Sequence, residues 1–318
     1  MTTASTLTED KDRENKDRGL LSAGQWLGIT LGLVAFVIGL QLLVAWRLDL
    51  LGIFRDPHGR ALITSEHERK AKYLLNQAYV PANFDALIIG ASASVNWNSS
   101  YLTGYHFYNE SLEGGDASEE RRLVEQALPK GHFKVALVAL YPRITSMHVL
   151  QDGFDQVRRV EVLGSISSIG LEYDDLMNHL HPRPQTYFPD GSHVLPKHAP
   201  PSPDETPSRL GSYEDPEAVG DYQRAIQELM DRGARIVYVT DPLFGPHYRY
   251  NKDLMDGYLK WVARVMPQAP LIDFNAPEYS AFCDDPNNFI DDVHLSPTGT
   301  EKLSQMLNVR MHQALGDQ

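Results

Sequence analysis

Near the C-terminus, Asp291-Asp292-Val293-His294 places a carboxylate three residues before an imidazole, just ahead of a predicted helix. A hydrolase uses such a pair to deprotonate a serine: the carboxylate orients the imidazole, fixes its tautomer and stabilises its cation. The hydroxyl that fits stands about 200 residues upstream. There the apolar run Ala86–Ile89 leads into Gly90-Ala91-Ser92-Ala93-Ser94. A serine directly after a buried strand and a glycine is held at the C-terminal edge of a parallel sheet, where open α/β sheets bind ligands. Ser92 is therefore the expected nucleophile, His294 the base and Asp291 its orienting carboxylate. Ser94 is the fallback nucleophile.

The elements that must hold these groups alternate along the chain. Apolar strands are predicted at Ala86–Ile89, Lys134–Leu140, Arg235–Thr240 and Pro270–Phe274. Helical patterns cover Ser118–Leu128, Val219–Arg232, Leu254–Val265 and Thr298–Leu315. Near-continuous apolar strands between amphipathic helices indicate a parallel sheet covered on both faces, an α/β/α sandwich. Nine prolines between His181 and Pro216 interrupt the alternation and mark an inserted surface loop at 181–216.

The chain has 318 residues, 42% of them hydrophobic, enough for one substantial core. A formal net charge of −13 argues against a nucleic-acid partner. The single cysteine, Cys283, excludes an internal disulfide and a thiolate metal cluster. Trp26 to Trp46 carries no ionisable side chain. As a helix it is about 30 Å long, the thickness of a bilayer's hydrocarbon core. A tryptophan at each end suits the interfacial aromatic belt. Lys11, Arg13, Lys16 and Arg18 precede it and Arg47, Arg55 and Arg60 follow, which favours a cytoplasmic N-terminus. The expected organisation is a disordered cytoplasmic tail (1–25), a transmembrane helix (26–46), a juxtamembrane connector (47–80) and an extracytoplasmic domain (81–318). The connector's Leu48–Phe54 is placed at the membrane interface, and its polar Ser65–Ala78 stretch is helix-compatible.

Gly90-Ala91-Ser92, Gly114 and Asp291-Asp292-Val293-His294 together resemble the blocks of the SGNH (GDSL-like) hydrolase superfamily. More narrowly, the chain is similar to membrane-anchored SGNH-like proteins of cell-surface polysaccharide or teichoic acid acylation. The resemblance runs from about Phe84 to the C-terminus and includes the anchor. It implies an SGNH/flavodoxin-like fold and a Ser-His-Asp mechanism without a cofactor. It also implies a cell-surface polysaccharide or acyl-ester substrate and a membrane-bound O-acyltransferase as partner. Within Tyr108–Gly115, Gly114 takes the role of backbone oxyanion donor by the same resemblance. Tyr187–Ser192 resembles a further recurring segment of the anchored proteins. Two departures stand out. Ala91 occupies the Asp position of Gly-Asp-Ser, and Leu140-Tyr141-Pro142-Arg143 stands where a Gly-x-Asn-Asp block would supply an oxyanion-binding Asn. These departures motivate an alternative: a catalytically inactive accessory or scaffold protein of a polysaccharide-modification system.

Other residues admit two readings each. Arg143 either presents a guanidinium to the oxyanion or is a surface residue. Asp241, with Pro242 and His247, either lines the substrate pocket or forms a turn, and Tyr141 divides in the same way. His179, His181, His193 and His198 lack metal-ligand spacing and read as solvent-facing loop residues, so no metal is expected.

Overall fold

The computed structural model describes residues 22–51, 53–54, 58, 68–146, 166–181, 186–195, 199–204 and 206–317. The tail expected to be disordered lies almost wholly outside these residues, as do parts of the connector and of the proline-rich insert.

The chain enters through α1, Ala23–Leu48, a helix long and apolar enough to cross a membrane. Ser22 caps its start by accepting from the Gln25 backbone N–H, while the Gln25 side chain accepts from Ser22. At its end Asp49 turns into the left-handed region (φ 44°), and its carboxylate accepts from the N–H groups of Ile53 and Phe54. This turn directs Leu50, Leu51 and Ile53 into the main hydrophobic core. The juxtamembrane segment expected at the interface is thus packed into the protein. Helices α2 (Glu68–Leu75) and α3 (Tyr79–Asn83) add Leu74, Leu75, Tyr79 and Val80 to the same core. The boundary expected near Pro81 therefore runs through packed side chains.

Beyond it come β1 (Ala86–Ile89), β2 (Phe107–Asn109), α4 (Ala117–Ala127), β3 (Val135–Leu140) and α5 (Ile166–Leu180). They are followed by α6 (Pro216–Asp231), β4 (Arg235–Thr240), α7 (Gly245–Tyr250), α8 (Lys252–Val265), β5 (Leu271–Ile272), α9 (Ser280–Cys283) and α10 (Pro297–Leu315). The five strands form one parallel sheet in the order β2-β1-β3-β4-β5. The chain begins at β1, steps out to β2 and returns past β1 to β3, so the winding reverses beside β1. That reversal opens a crevice at the strands' C-terminal ends.

Strand residues alternate between two cores because successive side chains point to opposite faces. Leu87 and Ile89, with Ala136, Val138 and Leu140, face α4, α6 and α8. Ala86 and Ile88, with Val135, Leu137, Val237 and Val239, face Trp97, Phe274, Phe289 and α10. Burial on both sides explains why these strands read as unbroken apolar runs. The architecture is the expected parallel-sheet α/β fold with helices on both sides.

Candidate active site

Gly90 ends β1 because nothing larger fits there. A Cβ at this position would lie 2.2 Å from Ser94 Oγ and 2.6 Å from Ala139 Cβ. The chain then turns tightly, Ser94 N–H donating to the Ala91 carbonyl (3.0 Å). Ser94 is fully buried. Its hydroxyl also donates to the Ala91 carbonyl (3.0 Å) and lies 2.9 Å from Ser111 Oγ. This places the fallback nucleophile in a structural role, knitting two loops together out of reach of solvent. Ser92, in the same turn, is half-buried.

The second loop, after β2, runs alongside the first. Leu112 N–H donates to the Gly90 carbonyl (3.3 Å) and Glu110 N–H to Ile88 (2.8 Å). Asn109, fully buried, donates its amide to Ser94 O (2.8 Å) and accepts from Ser111 N–H (3.0 Å). Gly114 follows in a left-handed conformation (φ 62°) with open space where a Cβ would sit. Among the described residues, neither the Ser92 nor the Gly114 backbone N–H has a hydrogen-bond partner. Both N–H groups, including that of Gly114, the expected oxyanion donor, are unspent.

The dyad forms as its spacing suggests. His294 Nδ1 lies 2.7 Å from Asp291 Oδ2, and Asp291 Oδ1 accepts from the N–H groups of Val293 (2.8 Å) and His294 (2.7 Å). Burial pushes the Asp291 carboxyl up, but the hydrogen bonds from His294 and the backbone outweigh it and hold it below the usual range. An ionised Asp291 holds the proton on Nδ1, leaving Nε2 as the acceptor a base requires. The loop is buttressed from behind: Phe244 N–H donates to the Asp292 carbonyl (3.0 Å), and buried His247 Nδ1 lies 3.1 Å from Asp292 Oδ2. His247, buried, thus supports the loop that carries Asp291 and His294. Burial lowers its pKa, with Asp292 opposing.

The serine and histidine loops are tied to each other. Asn96 Nδ2 donates to the Leu295 carbonyl (2.9 Å), and Val95, Leu195 and Ile290 form a small apolar cluster between them. No direct hydrogen bond joins Ser92 Oγ to His294 among the described residues. Such contacts are commonly loose without substrate and tighten in the reacting complex.

No family model matches this chain, and no curated protein matches it. Solved structures do. It is similar to a "putative platelet activating factor" from Streptococcus pneumonia at 12% identity, over 78% of this chain and 92% of the other, with a TM-score of 0.45. It is also similar to a GDSL-like lipase from Bacteroides thetaiotaomicron VPI-5482 at 10% identity, over 79% and 98%, with a TM-score of 0.41.

The remaining expected residues divide. Tyr141, half-buried after β3, has its phenol pushed up to about 12 by burial and by Asp241, Asp291 and Asp292, with Arg143 opposing. It is therefore a protonated hydrogen-bond donor near the carboxylates of Asp291 and Asp292. Arg143 is exposed on the short turn Pro142–Thr145 and forms no ion pair among the described residues. Asp241 departs from expectation. It ends β4 pointing inward, fully buried, with neither carboxylate oxygen hydrogen-bonded. Burial raises its pKa well above the usual range, which favours the neutral acid.

His193 was expected to face solvent, and the structure buries it. Tyr187 and His193 pair across a hairpin turned at Gly191 (φ 80°), which docks on β2. Asn109 N–H donates to the Asp190 carbonyl (2.7 Å) and His193 N–H to Val95 (3.0 Å). The imidazole's Nε2 then lies 2.8 Å from Glu113 Oε1 and its Nδ1 3.5 Å from Glu68 Oε1. Burial lowers its pKa to about 4 despite Glu68, so Nε2–H of a neutral ring donates to Glu113. The Tyr187–Ser192 resemblance was the one sequence signal near it.

Behind this hairpin, α2 supplies Lys72, fully buried. Its ammonium donates to the carbonyls of Asn109 (2.9 Å) and Ser111 (2.6 Å) and lies 3.6 Å from Glu68. Glu110 nearby is pushed up to about 8 by burial, which outweighs Lys72 and Asn76. The loop carrying Gly114 is thus clamped by α2. A cavity of about 110 Å³, lined by Asn96, Phe188, His193, Val194, Leu295 and Thr300 among others, adjoins the hairpin.

Proposed function

We propose that this protein is a membrane-anchored, serine-dependent acyl-ester enzyme acting on cell-surface glycans. The observation that carries the reading is the Asp291–His294 pair at 2.7 Å, with its carboxylate locked by two backbone N–H groups, on a loop tied to the one bearing Ser92. The reading also draws on the chain's resemblance to SGNH-like proteins.

Ser92 Oγ attacks the acyl carbonyl while its proton passes to His294 Nε2. The carbonyl π electrons move onto oxygen, which receives the Ser92 and Gly114 N–H groups. Collapse breaks the ester bond, and the leaving alkoxide takes the proton back from His294. A glycan hydroxyl or water then attacks the acyl-Ser92 ester, giving up its proton to His294, and Ser92 is regenerated. Transfer to a glycan is favoured over hydrolysis, because an anchored enzyme is well placed to accept acyl groups from a membrane-bound O-acyltransferase. Tyr141 and exposed Arg143 lie at the same sheet edge and could contact substrate or the oxyanion.

The domain is assigned to the extracytoplasmic side, α1 crossing the cytoplasmic membrane once. A reporter fused after Gln318 should read out as extracytoplasmic; a cytoplasmic readout overturns that orientation. The activity is tested by Ser92→Ala, measured by acyl-ester turnover and surface-glycan acylation. Loss of both supports transfer, and loss of turnover alone supports an esterase. Unchanged values overturn the serine mechanism and favour an accessory scaffold, the reading suggested by the missing Asn donor.

A further inference from the structure

We propose that α5 lies in the interface of the bilayer that α1 crosses, with Ile169, Tyr173, Leu176 and Leu180 buried in lipid. The inference rests on reading α1 as a membrane span. Among the described side chains of α5, those four are the large exposed apolar groups. At 100° per residue they fall within an arc of about 60°, a single narrow stripe. Asp174, Asp175 and Asn178 project to the other side. Such a helix buries its stripe somewhere, and the chain itself says where.

Gln41 is the one amide between Trp26 and Trp46. Its Nδ-equivalent nitrogen, Nε2, donates to Glu172 Oε2 of α5 at 2.9 Å. A polar side chain inside a span needs such a partner. Glu172 borders the apolar stripe, so the bond fixes both the height and the facing of α5. At 1.5 Å per residue, the 26 residues of α1 extend about 39 Å, about 9 Å more than a typical hydrocarbon core. Centred in the bilayer, α1 puts Gln41 about 7 Å inside the hydrocarbon boundary and Trp46 at the boundary itself. That depth is where amphipathic interfacial helices bury their apolar faces, roughly 5–10 Å into the headgroup and acyl boundary. Residues Ile166–Leu180 contain no Lys or Arg and three acidic residues. Attachment therefore comes from apolar burial beside α1, without attraction to anionic lipid.

The test uses the full-length chain in phosphatidylcholine nanodiscs, with single nitroxide labels on introduced cysteines. Cys283 is buried, with its thiol pushed up to about 12, so the unsubstituted chain serves as the unlabelled blank. Labels at Ile169→Cys, Tyr173→Cys, Leu176→Cys and Leu180→Cys should collide with oxygen several-fold more than with a water-soluble nickel chelate. Asp174→Cys and Asn178→Cys should show the reverse. Nickel-dominated collisions at all four stripe positions overturn the proposal. Exclusion of both reagents there also overturns it, because it signifies a protein cover, a second copy or another partner. A Val34→Cys label separates this failure from that of its premise: nickel access at Val34 would show that α1 itself does not span.

Discussion

Two imidazoles stand on segments tied to the loop that bears the proposed nucleophile, through Val95 and Asn96, and each has a carboxylate within hydrogen-bonding distance. His294 is half-buried on a loop, with Asp291 on Nδ1 and Nε2 uncommitted. His193 is buried, with Glu113 on Nε2 and with Nδ1 enclosed in the protein 3.5 Å from Glu68 without a hydrogen bond, so its second nitrogen is shut away from solvent. The same side chain thus serves opposite ends. One ring has a free acceptor and an ionised partner that stabilises its cation, which a base requires. The other is a neutral spacer that pins the Gly114 loop to the hairpin. Possession of a His–carboxylate pair does not identify a base; a second nitrogen on a ring open to solvent does, and only His294 is partly exposed.

The sharpest way to break this comparison is to remove each ring in turn. His294→Ala should lower acyl-ester turnover by about 10⁵–10⁶, as for the base of a serine triad. His193→Gln, which keeps a donor for Glu113, should stay within about tenfold of wild type, since no proton passes through it. Equal losses would dissolve the distinction. Next in size, Asp291→Asn should cost about 10⁴ in kcat with the fold intact, because the amide no longer fixes the Nδ1–H tautomer. A loss confined to KM would contradict that role.

Lys72→Met probes the support behind His193. It strands Glu68 in the core and releases the carbonyls of Asn109 and Ser111. The expected cost is about 3–5 kcal/mol of stability, read as a shift in denaturation midpoint. Smallest is the pH signature of His193. With its folded pKa near 4, below the ordinary 6.5, the unfolded chain takes up the proton first as pH falls. His193 therefore costs the protein up to about 3 kcal/mol of stability between pH 6.5 and 4. His193→Gln should flatten that limb of the stability curve; an unchanged slope would mean the ring is not buried neutral.

How much of this was readable from sequence follows from what each element depends on. β1, β3 and β4 are legible because burial on both faces makes them unbroken apolar runs. Asp291 and His294 are legible because three residues within one turn fix their contact. β2 is only Phe107-Tyr108-Asn109, too short to show a pattern. α5 escaped because Ile166–Leu180 has two serines and a glycine in its first turns and three acidic residues, Glu172, Asp174 and Asp175, at its middle. His193 and Lys72 escaped for a common reason: polar residues read as exposed unless their partners are known. Here the partners, Glu68 and Glu113 for one and backbone carbonyls for the other, lie 37 to 125 positions away or on separate elements. Asp241 fails in the opposite sense, since its place after a strand suggests a site while its side chain turns into the core.

The central claim, that Ser92 is a nucleophile activated by His294, is tested most directly by covalent capture. Folded full-length protein is treated with a fluorophosphonate and the adduct is mapped by peptide mass spectrometry. The account predicts phosphonylation of Ser92 that disappears in His294→Ala and persists in His193→Gln. A folded protein that carries no adduct at Ser92, or one that labels equally well without His294, would contradict it.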